Sequence, residues 1–255
     1  NVYRLEEEPQ SEAEHPQNVL NKEVTISDLV FMIGPRINAA GRLEKASDSV
    51  RLLIADKKEH ADKLASSIND LNVRRREFDN RITEEALAMI EQNETLRNAK
   101  STVLFNENWH KGVIGIVASR LTDSYYRPTI VLTRSNNLIT GSARSIKNFD
   151  IYDAIDNCSD LLEHFGGHKY AAGLSLKPEN LEEFSRRFEE YVANNIDKEE
   201  LVPEINVDLE IDFSDITPKF VRVLKQFAPF GPGNMAPVFL SRNVVDTGLS
   251  RSVGN

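Results

Sequence analysis

The sequence predicts an α/β protein with a long connecting helix, a mixed α/β domain and the beginning of a small β-rich domain. Residues 56–99 carry apolar side chains at helical spacing and contain neither glycine nor proline, which predicts one long helix. Residues 100–198 alternate short apolar runs with helical segments, a pattern typical of an open layered α/β domain. From residue 199 onward the pattern changes, and strict alternation over residues 206–213 predicts a half-buried strand.

Residues 1–55 are predicted to form an inter-domain segment ahead of the long helix. Residues 1–24 are polar and acidic with two prolines, which is typical of an irregular connecting arm. Ser27-Asp28 fit the start of a short helix, and Gly34-Pro35 are expected to end it. Asp56 then fits the N-cap of the long helix, which we expect to run through residue 98.

The mixed domain is expected to alternate strands and helices around one glycine-rich loop. The turn Ser135-Asn136-Asn137 joins two of the strands, and the loop covers residues 166–173. The predicted strands cover residues 102–105, 129–133, 138–143 and 174–176, and the predicted helices cover residues 112–121, 151–164 and 181–194.

The last region, residues 199–255, is expected to begin a further domain. After the alternating strand, Thr217-Pro218 fit a helix start, residues 229–234 a rigid turn and residues 238–240 a strand. Residues 243–246 look like the start of another strand close to the last residue. The first residue is not methionine and no signal peptide precedes the domains, so we expect a piece of a longer protein.

The net charge of −9 is unevenly distributed along the chain. Residues 177–215 hold four basic and 13 acidic residues, whereas residues 216–255 hold five basic residues against one aspartate. Because phosphate attraction depends on the local potential, the overall acidity does not exclude a nucleic-acid partner.

Cysteine content and hydropathy narrow the class of protein further. The single cysteine, Cys158, excludes internal disulfides and a cysteine-rich zinc site, and it fits a reducing cytoplasm. No run of apolar residues is long enough to span a membrane, so no membrane partner is expected.

Four segments combine glycine with basic or hydroxyl side chains, and the first is residues 34–42. Its two arginines, Arg36 and Arg42, lie among small residues and could grip a phosphate, because a guanidinium matches phosphate oxygens. The alternative is that one of these arginines pairs with a carboxylate between domains.

The second segment, residues 109–118, lies where a predicted strand ends and a helix begins. Backbone N–H groups and the positive end of the helix therefore face the crevice. Trp109 offers a stacking face for a base, although it could equally be a core residue. His110 is a further candidate for substrate binding.

The third segment, Gly141 to Ser145, places an arginine between serines at a predicted strand end. Alternation along the strand points Ser142 and Arg144 to the same face, where both could bind one phosphate. We include Ser145 among the candidate substrate-binding residues.

The fourth segment begins with Gly166 and Gly167, which allow a backbone to approach a ligand closely. His168 follows as a donor that is neutral or cationic near neutral pH. The alternative is a tight turn with a capping histidine.

Several catalytic signatures are absent from the sequence. No H-E-x-x-H, Walker loop, G-x-S-x-G or cysteine ligand pair occurs, and no carboxylate cluster fits a two-metal site. His164 and His168 are separated by two glycines, which break the helical face of a metal pair. The remaining pattern indicates recognition of phosphate and base.

These segments, in this order, resemble the C-terminal part of the RecJ family of single-strand-specific exonucleases, in the DHH/DHHA1 phosphoesterase superfamily. The resemblance runs from about residue 26 to residue 243. It is carried by five blocks: GPRINAAGRL at 34–43, WHKGVIGIVASRL at 109–121, GSARS at 141–145, GGHKYAAG at 166–173 and APFGPGNMAPVF at 228–239.

The resemblance implies a 5′→3′ exonuclease acting on single-stranded DNA in repair and recombination, with DHHA1 and OB-like domains. It implies that Mg²⁺ or Mn²⁺ binds an N-terminal DHH domain absent here, so the chain alone holds no cofactor. By the family pattern Arg42, Ser142 and Arg144 bind the 5′ phosphate, and His168 lines the catalytic cleft. Two alternatives are a non-catalytic DHHA1-type tRNA-binding module and a relative that cleaves oligoribonucleotides or cyclic dinucleotides.

Overall fold

The computed structural model describes residues 24–246 and residue 248. Two compact units are present, one formed by Phe31–Pro203 and one by the other described residues. All but the last residue of the expected arm, residues 1–24, lie outside the described part. No helix within that part is long and apolar enough to cross a membrane.

The first helices run on without the break expected at Gly34-Pro35. A π-helical segment, Asp28–Ile33, continues directly into α1 (Gly34–Leu43), and α2 (Ser47–Leu53) follows. The expected break is wrong: Pro35 is the second residue of α1, and the π-helical segment ahead of it passes into α-helix at Gly34-Pro35.

The predicted long helix is present as α3 (Lys58–Gln92), whose 35 residues span about 52 Å. Its N-cap is Lys57 and not Asp56. A short helix, α4 (Glu94–Asn98), follows because the Asn93 side chain accepts a hydrogen bond from the Leu96 N–H at 3.1 Å. The buried stripe of α3 consists of Ile68, Leu71, Asn72, Asp79, Ile82, Ala86 and Ile90.

Five strands form one mixed sheet in the order β1-β2-β3-β5-β4. The β1 and β2 strands are parallel, and the other neighbouring pairs are antiparallel. The strands are β1 (Thr102–Phe105), β2 (Thr129–Ser135), β3 (Leu138–Arg144), β4 (Leu162–His168) and β5 (Ala171–Leu176). The helices among them are α5 (Ile114–Tyr125), α6 (Ile151–Asp156) and α7 (Leu181–Asn195).

The interior strand β2 separates two hydrophobic cores. Ile130 and Leu132 pack in the core with α6 and α7, whereas Val131 packs in the core with α5 and α3. This burial on both faces explains the continuous apolar run of β2. The layers are therefore α6 and α7, then the sheet, then α5 with α3 behind it.

The region around the glycine pair differs most from expectation. The helix predicted for residues 151–164 ends at Asp156, and the glycines lie in β4, not in a loop. Gly167 has φ +156°, and a Cβ there would lie 2.3 Å from the carbonyl oxygen of Ala171. The second glycine thus permits close approach between the strands of the β4–β5 hairpin.

In the smaller unit, β6 (Leu209–Glu210) and β7 (Phe239–Leu240) pair in parallel. The strand predicted over residues 206–213 is therefore much shorter than expected, and the structure has no strand at residues 243–246. The predicted helix is present as α8 (Pro218–Lys225), where the Thr217 hydroxyl accepts from the Phe220 N–H at 3.2 Å. The turn at residues 229–234 closes through paired backbone hydrogen bonds between Gly231 and Asn234.

Candidate functional site

A polar cleft of about 450 Å³ opens in the larger unit. It lies where the end of α1 and the start of α5 meet β2 and β3. Most of its lining side chains are cationic, hydroxylated or absent. The lining residues are Gly41, Arg42, Lys111, Gly112, Ile114, Gly115, Ser135, Thr140, Gly141, Ser142 and Arg144.

The alternation of β3 brings Ser142 and Arg144 into this cleft together, as the sequence predicts. Their neighbour Ala143 points the other way, into the core with α6 and α7. The Arg144 guanidinium donates from Nη1 to Ser142 Oγ at 3.1 Å and from Nε to Ser119 Oγ at 3.2 Å. Ser119 in turn donates to the carbonyl of Gly115, one turn earlier in α5. Arg144 is thus held by two hydroxyl groups and by the Ala143 carbonyl, which accepts from Nη1 at 2.7 Å.

Arg42 reaches the same cleft from the last turn of α1. Its Nη1 donates to the backbone carbonyl of Gly112 at 3.1 Å, a contact between residues 70 positions apart. A Cβ at Gly112 would lie only 2.1 Å from the Arg42 carbonyl oxygen, so this approach of two backbones requires glycine.

The cleft is lined by cationic side chains and by no carboxylate. Burial, and then the nearby Arg42, lower the pKa of the Arg144 guanidinium. Across residues 24–246 and 248, no carboxylate forms an ion pair with Arg42, Lys111 or Arg144. The first residues of α5 line the cleft as well, so the positive end of the helix dipole adds to the field. Such a site attracts an anion with several oxygen acceptors.

Arg36 lies elsewhere, against α3. Its Nε donates to Asn69 Oδ1 at 3.1 Å and its Nη1 to the Met32 carbonyl at 2.7 Å. Six residues of α-helix turn the chain through roughly 600°, which places Arg36 and Arg42 on different sides of α1. The structure brings only Arg42 to the cleft.

Trp109 and His110 flank the cleft without lining it. Trp109 is 4% exposed and its Nε1 donates to Glu85 at 2.8 Å, so it is a core residue with no open stacking face. His110 stacks on Phe78 with ring centroids 5.4 Å apart, and its Nδ1 accepts from the Gly112 N–H at 3.1 Å.

Ser145 is used by a turn instead of the cleft, since its hydroxyl donates to the Phe149 carbonyl at 2.8 Å. His168 is exposed at the end of β4, where Nδ1 accepts from the Tyr170 N–H at 3.2 Å. Neither residue lines the cleft.

His168 nevertheless shares a sheet face with the cleft. Arg144 lies opposite Ala171, which lies opposite His168, and residues directly opposite one another project to the same face. Two strand spacings put His168 about 10 Å from Arg144. The neighbouring set of paired residues on this sheet face consists of Ser142, Gly173 and Gly166. Because two of these three are glycines, this part of the sheet face, called the floor below, carries few side chains.

Sequence reasoning included Lys111 and Gly115 within the segment of residues 109–118, but it gave no role to Lys111 or to Ser119. A Cβ at Gly115 would lie 2.9 Å from Ser142 Oγ, so its absence keeps the cleft open. The signal for Ser119 was its helical spacing of four from Gly115 within a run of small residues.

The described residues do not fit a divalent metal. They bring no three His, Cys, Asp or Glu side chains together as metal ligands, and the cleft is lined by cations and hydroxyls. Cationic and hydroxyl side chains of this kind suit an anion instead.

Two family models match the chain: the DHHA1 domain over residues 98–194 and the RecJ OB domain over residues 207–255. The RecJ single-stranded-DNA-specific exonuclease of Bacillus subtilis is 38% identical over 84% of the chain, which covers 27% of that relative. That of Haemophilus influenzae is 35% identical over 86% of the chain, which covers 39% of that relative. The chain thus spans well under half the length of these curated relatives.

A solved structure of RecJ from Thermus thermophilus in complex with Mg²⁺ has the same fold. Its TM-score is 0.77 at 31% identity, over 87% of this chain and 34% of that chain. A second structure from the same organism, in complex with Mn²⁺, gives a TM-score of 0.78 over 88% of this chain and 33% of that chain at the same identity. These matches favour the RecJ resemblance over the RNA-binding and oligoribonuclease alternatives.

Proposed function

We propose that the chain belongs with the RecJ proteins, whose DHHA1 and OB domains its sequence matches, and that it is part of a 5′→3′ single-stranded-DNA exonuclease acting in DNA repair and recombination. In this proposal the chain supplies recognition of the strand and its 5′ phosphate. Hydrolysis takes place at Mg²⁺ or Mn²⁺ held by a DHH domain elsewhere in the longer protein.

The observation that carries the proposal is the cationic cleft without a carboxylate. Arg42 and Arg144 approach it from α1 and β3, and Ser142 adds a hydroxyl beside Arg144. A terminal phosphate offers more oxygen acceptors and more charge than a phosphodiester, so it matches two guanidinium groups and a hydroxyl better. The free 5′ end of a strand is the part of DNA that carries such a group.

The open sheet face beside the cleft supports a path for the DNA strand from Arg144 on β3 towards His168 on β4. Glycine at positions 166 and 173 leaves the floor beside Ser142 without side chains. His168 stands at the far edge of this floor, about two strand spacings from Arg144. We assign it a role at the first scissile phosphodiester, where an imidazole can donate a hydrogen bond to developing negative charge.

The proposed phosphate role is tested by binding. Short oligothymidylates with a 5′ phosphate and with a 5′ hydroxyl are compared for the wild-type chain and for Arg42→Ala, Arg144→Ala and Arg36→Ala. Hydrogen bonds to charged groups contribute about 1.5–3 kcal/mol, so each cleft variant should lose roughly tenfold or more of the preference for 5′ phosphate. Arg36→Ala is the matched control, because this arginine lies outside the cleft, and it should keep the preference.

Equal losses on both oligonucleotides would contradict the phosphate role. The division of labour has its own test, since the chain alone should not hydrolyse DNA when Mg²⁺ or Mn²⁺ is added. Robust metal-dependent nuclease activity from this chain would contradict it. The cytoplasmic location expected from the lone cysteine stays a prediction.

A further inference from the structure

Gly112 is held from three directions next to the cleft. Its N–H donates to His110 Nδ1 at 3.1 Å, and its carbonyl accepts from Arg42 Nη1 at 3.1 Å. The space of its missing side chain is filled, because a Cβ would lie 2.1 Å from the Arg42 carbonyl oxygen and 3.1 Å from His110 Cε1. One residue therefore joins the imidazole of His110 to the guanidinium of Arg42.

The imidazole is itself fixed by packing against α3. His110 stacks on Phe78 with an angle of 19° between the rings, and the Arg81 guanidinium lies 5.2 Å from the centre of the Phe78 ring. This stacking aims Nδ1 at the Gly112 N–H. Since Nδ1 accepts that hydrogen bond, the ring is neutral and carries its proton on Nε2.

We propose that His110 is a positioning residue for Arg42, acting through Gly112, and that it sets the affinity of the cleft for a terminal phosphate. The inference rests on the proposed phosphate role of the cleft. His110 does not line the cleft and need not touch the strand. It holds the N–H of Gly112, and the carbonyl of the same residue, in the next peptide group, accepts from the Arg42 guanidinium at the cleft.

The charges around His110 favour the neutral ring. Burial first, and then Lys111 and Arg74, lower the pKa of the imidazole. Arg74 pairs with Glu44 at 3.7 Å, and Arg81, which lies over Phe78, pairs with Glu85 at 3.9 Å.

Protonation of His110 removes the acceptor for the Gly112 N–H. The folded pKa lies below the unfolded value, so the stability from this contact is present above the unfolded pKa of about 6.5. It is lost as pH falls through the folded pKa. Phosphate selectivity should fall over the same range.

Two variants separate the acceptor from the ring. His110→Phe keeps an aromatic ring on Phe78 but has no acceptor for the Gly112 N–H. His110→Asn loses the ring but keeps an acceptor, because an asparagine oxygen accepts from the N–H two residues further along. The readout is the ratio of Kd values for oligothymidylate with a 5′ hydroxyl and with a 5′ phosphate. Because both Kd values come from one preparation, any unfolded fraction cancels in this ratio.

We expect His110→Phe to lower the ratio about tenfold, the loss of roughly one charge-assisted contact, and His110→Asn to stay within about twofold of wild type. Between pH 7.5 and pH 5.5 the ratio should fall more for wild type than for His110→Asn. Titration of the phosphate, with a second pKa of about 6, is common to both and cancels in this comparison.

Arg42→Ala distinguishes failure of this inference from failure of the proposed function. If Arg42→Ala lowers the ratio and His110→Phe does not, the positioning role is wrong and the phosphate role stands. If Arg42→Ala leaves the ratio unchanged, the phosphate role fails first. In the double variant, His110→Phe should add no loss to that of Arg42→Ala, and an additive loss would overturn the inference.

Discussion

Gly115→Ala is predicted to close the cleft while leaving the fold intact. A Cβ at this position would lie 2.9 Å from Ser142 Oγ and 3.2 Å from Arg144 Nη2. The new methyl group therefore displaces the hydroxyl that accepts from Arg144 and occupies space that a phosphate oxygen would need. Losing one charge-assisted hydrogen bond costs about 1.5–3 kcal/mol, which is about 10–100-fold in Kd for the 5′-phosphorylated strand.

The free energy of unfolding of Gly115→Ala should not fall along with its binding. Gly115 is the second residue of α5, and alanine favours helix over glycine by up to about 1 kcal/mol. Denaturant unfolding should therefore show an unchanged or higher free energy of unfolding for Gly115→Ala. A loss of binding together with an intact fold separates blockage of the site from general damage.

Gly41→Ala is the matched control. Gly41 also lines the cleft and lies in a helix, but a Cβ there meets Ala46 Cβ at 3.4 Å, an ordinary contact. This variant should gain similar stability and bind 5′-phosphorylated oligothymidylate as wild type does. Wild-type binding by Gly115→Ala, or equal losses in both variants, would refute the reasoning.

Three further predictions concern buried polar groups outside the cleft. Arg127 is 5% exposed and donates to three backbone carbonyls around the end of α4, so Arg127→Ala should lower the free energy of unfolding by about 3 kcal/mol in urea denaturation. Asp79→Ala should cost about 3–5 kcal/mol in the same assay, because it leaves Arg75, whose side chain is only 14% exposed, without its carboxylate, and Arg120→Ala should cost less since that arginine is half exposed. Burial raises the pKa of the Cys158 thiol to about 11, so alkylation at pH 8 should be slow until the protein unfolds, and rapid alkylation of the folded chain would contradict its burial.

The residues of β3 could be placed from the sequence because strand alternation is a local property. Ser142 and Arg144 are two apart, so a strand of either register puts them on one face. The same reasoning fails for Arg36 and Arg42. They lie in one α-helix, and helical geometry separates residues six apart.

The glycine pair illustrates why local signals mislead about function. Two adjacent glycines predicted a ligand-binding loop, whereas Gly167 is required by the Ala171 backbone across the hairpin. Nothing in residues 166–168 reveals that partner strand. Trp109 is similar, because its burial depends on Glu85, 24 residues earlier on α3. The contact of Arg42 with Gly112 likewise exists only after α1 and α5 are packed together.

The most direct test of the phosphate-binding cleft is a crystal structure of this chain with a short 5′-phosphorylated oligothymidylate. We expect the 5′ phosphate oxygens within hydrogen-bond distance of Ser142 Oγ and of the Arg42 and Arg144 guanidinium groups. A strand bound with its 5′ phosphate outside this cleft, and these three side chains free of it, would contradict the assignment.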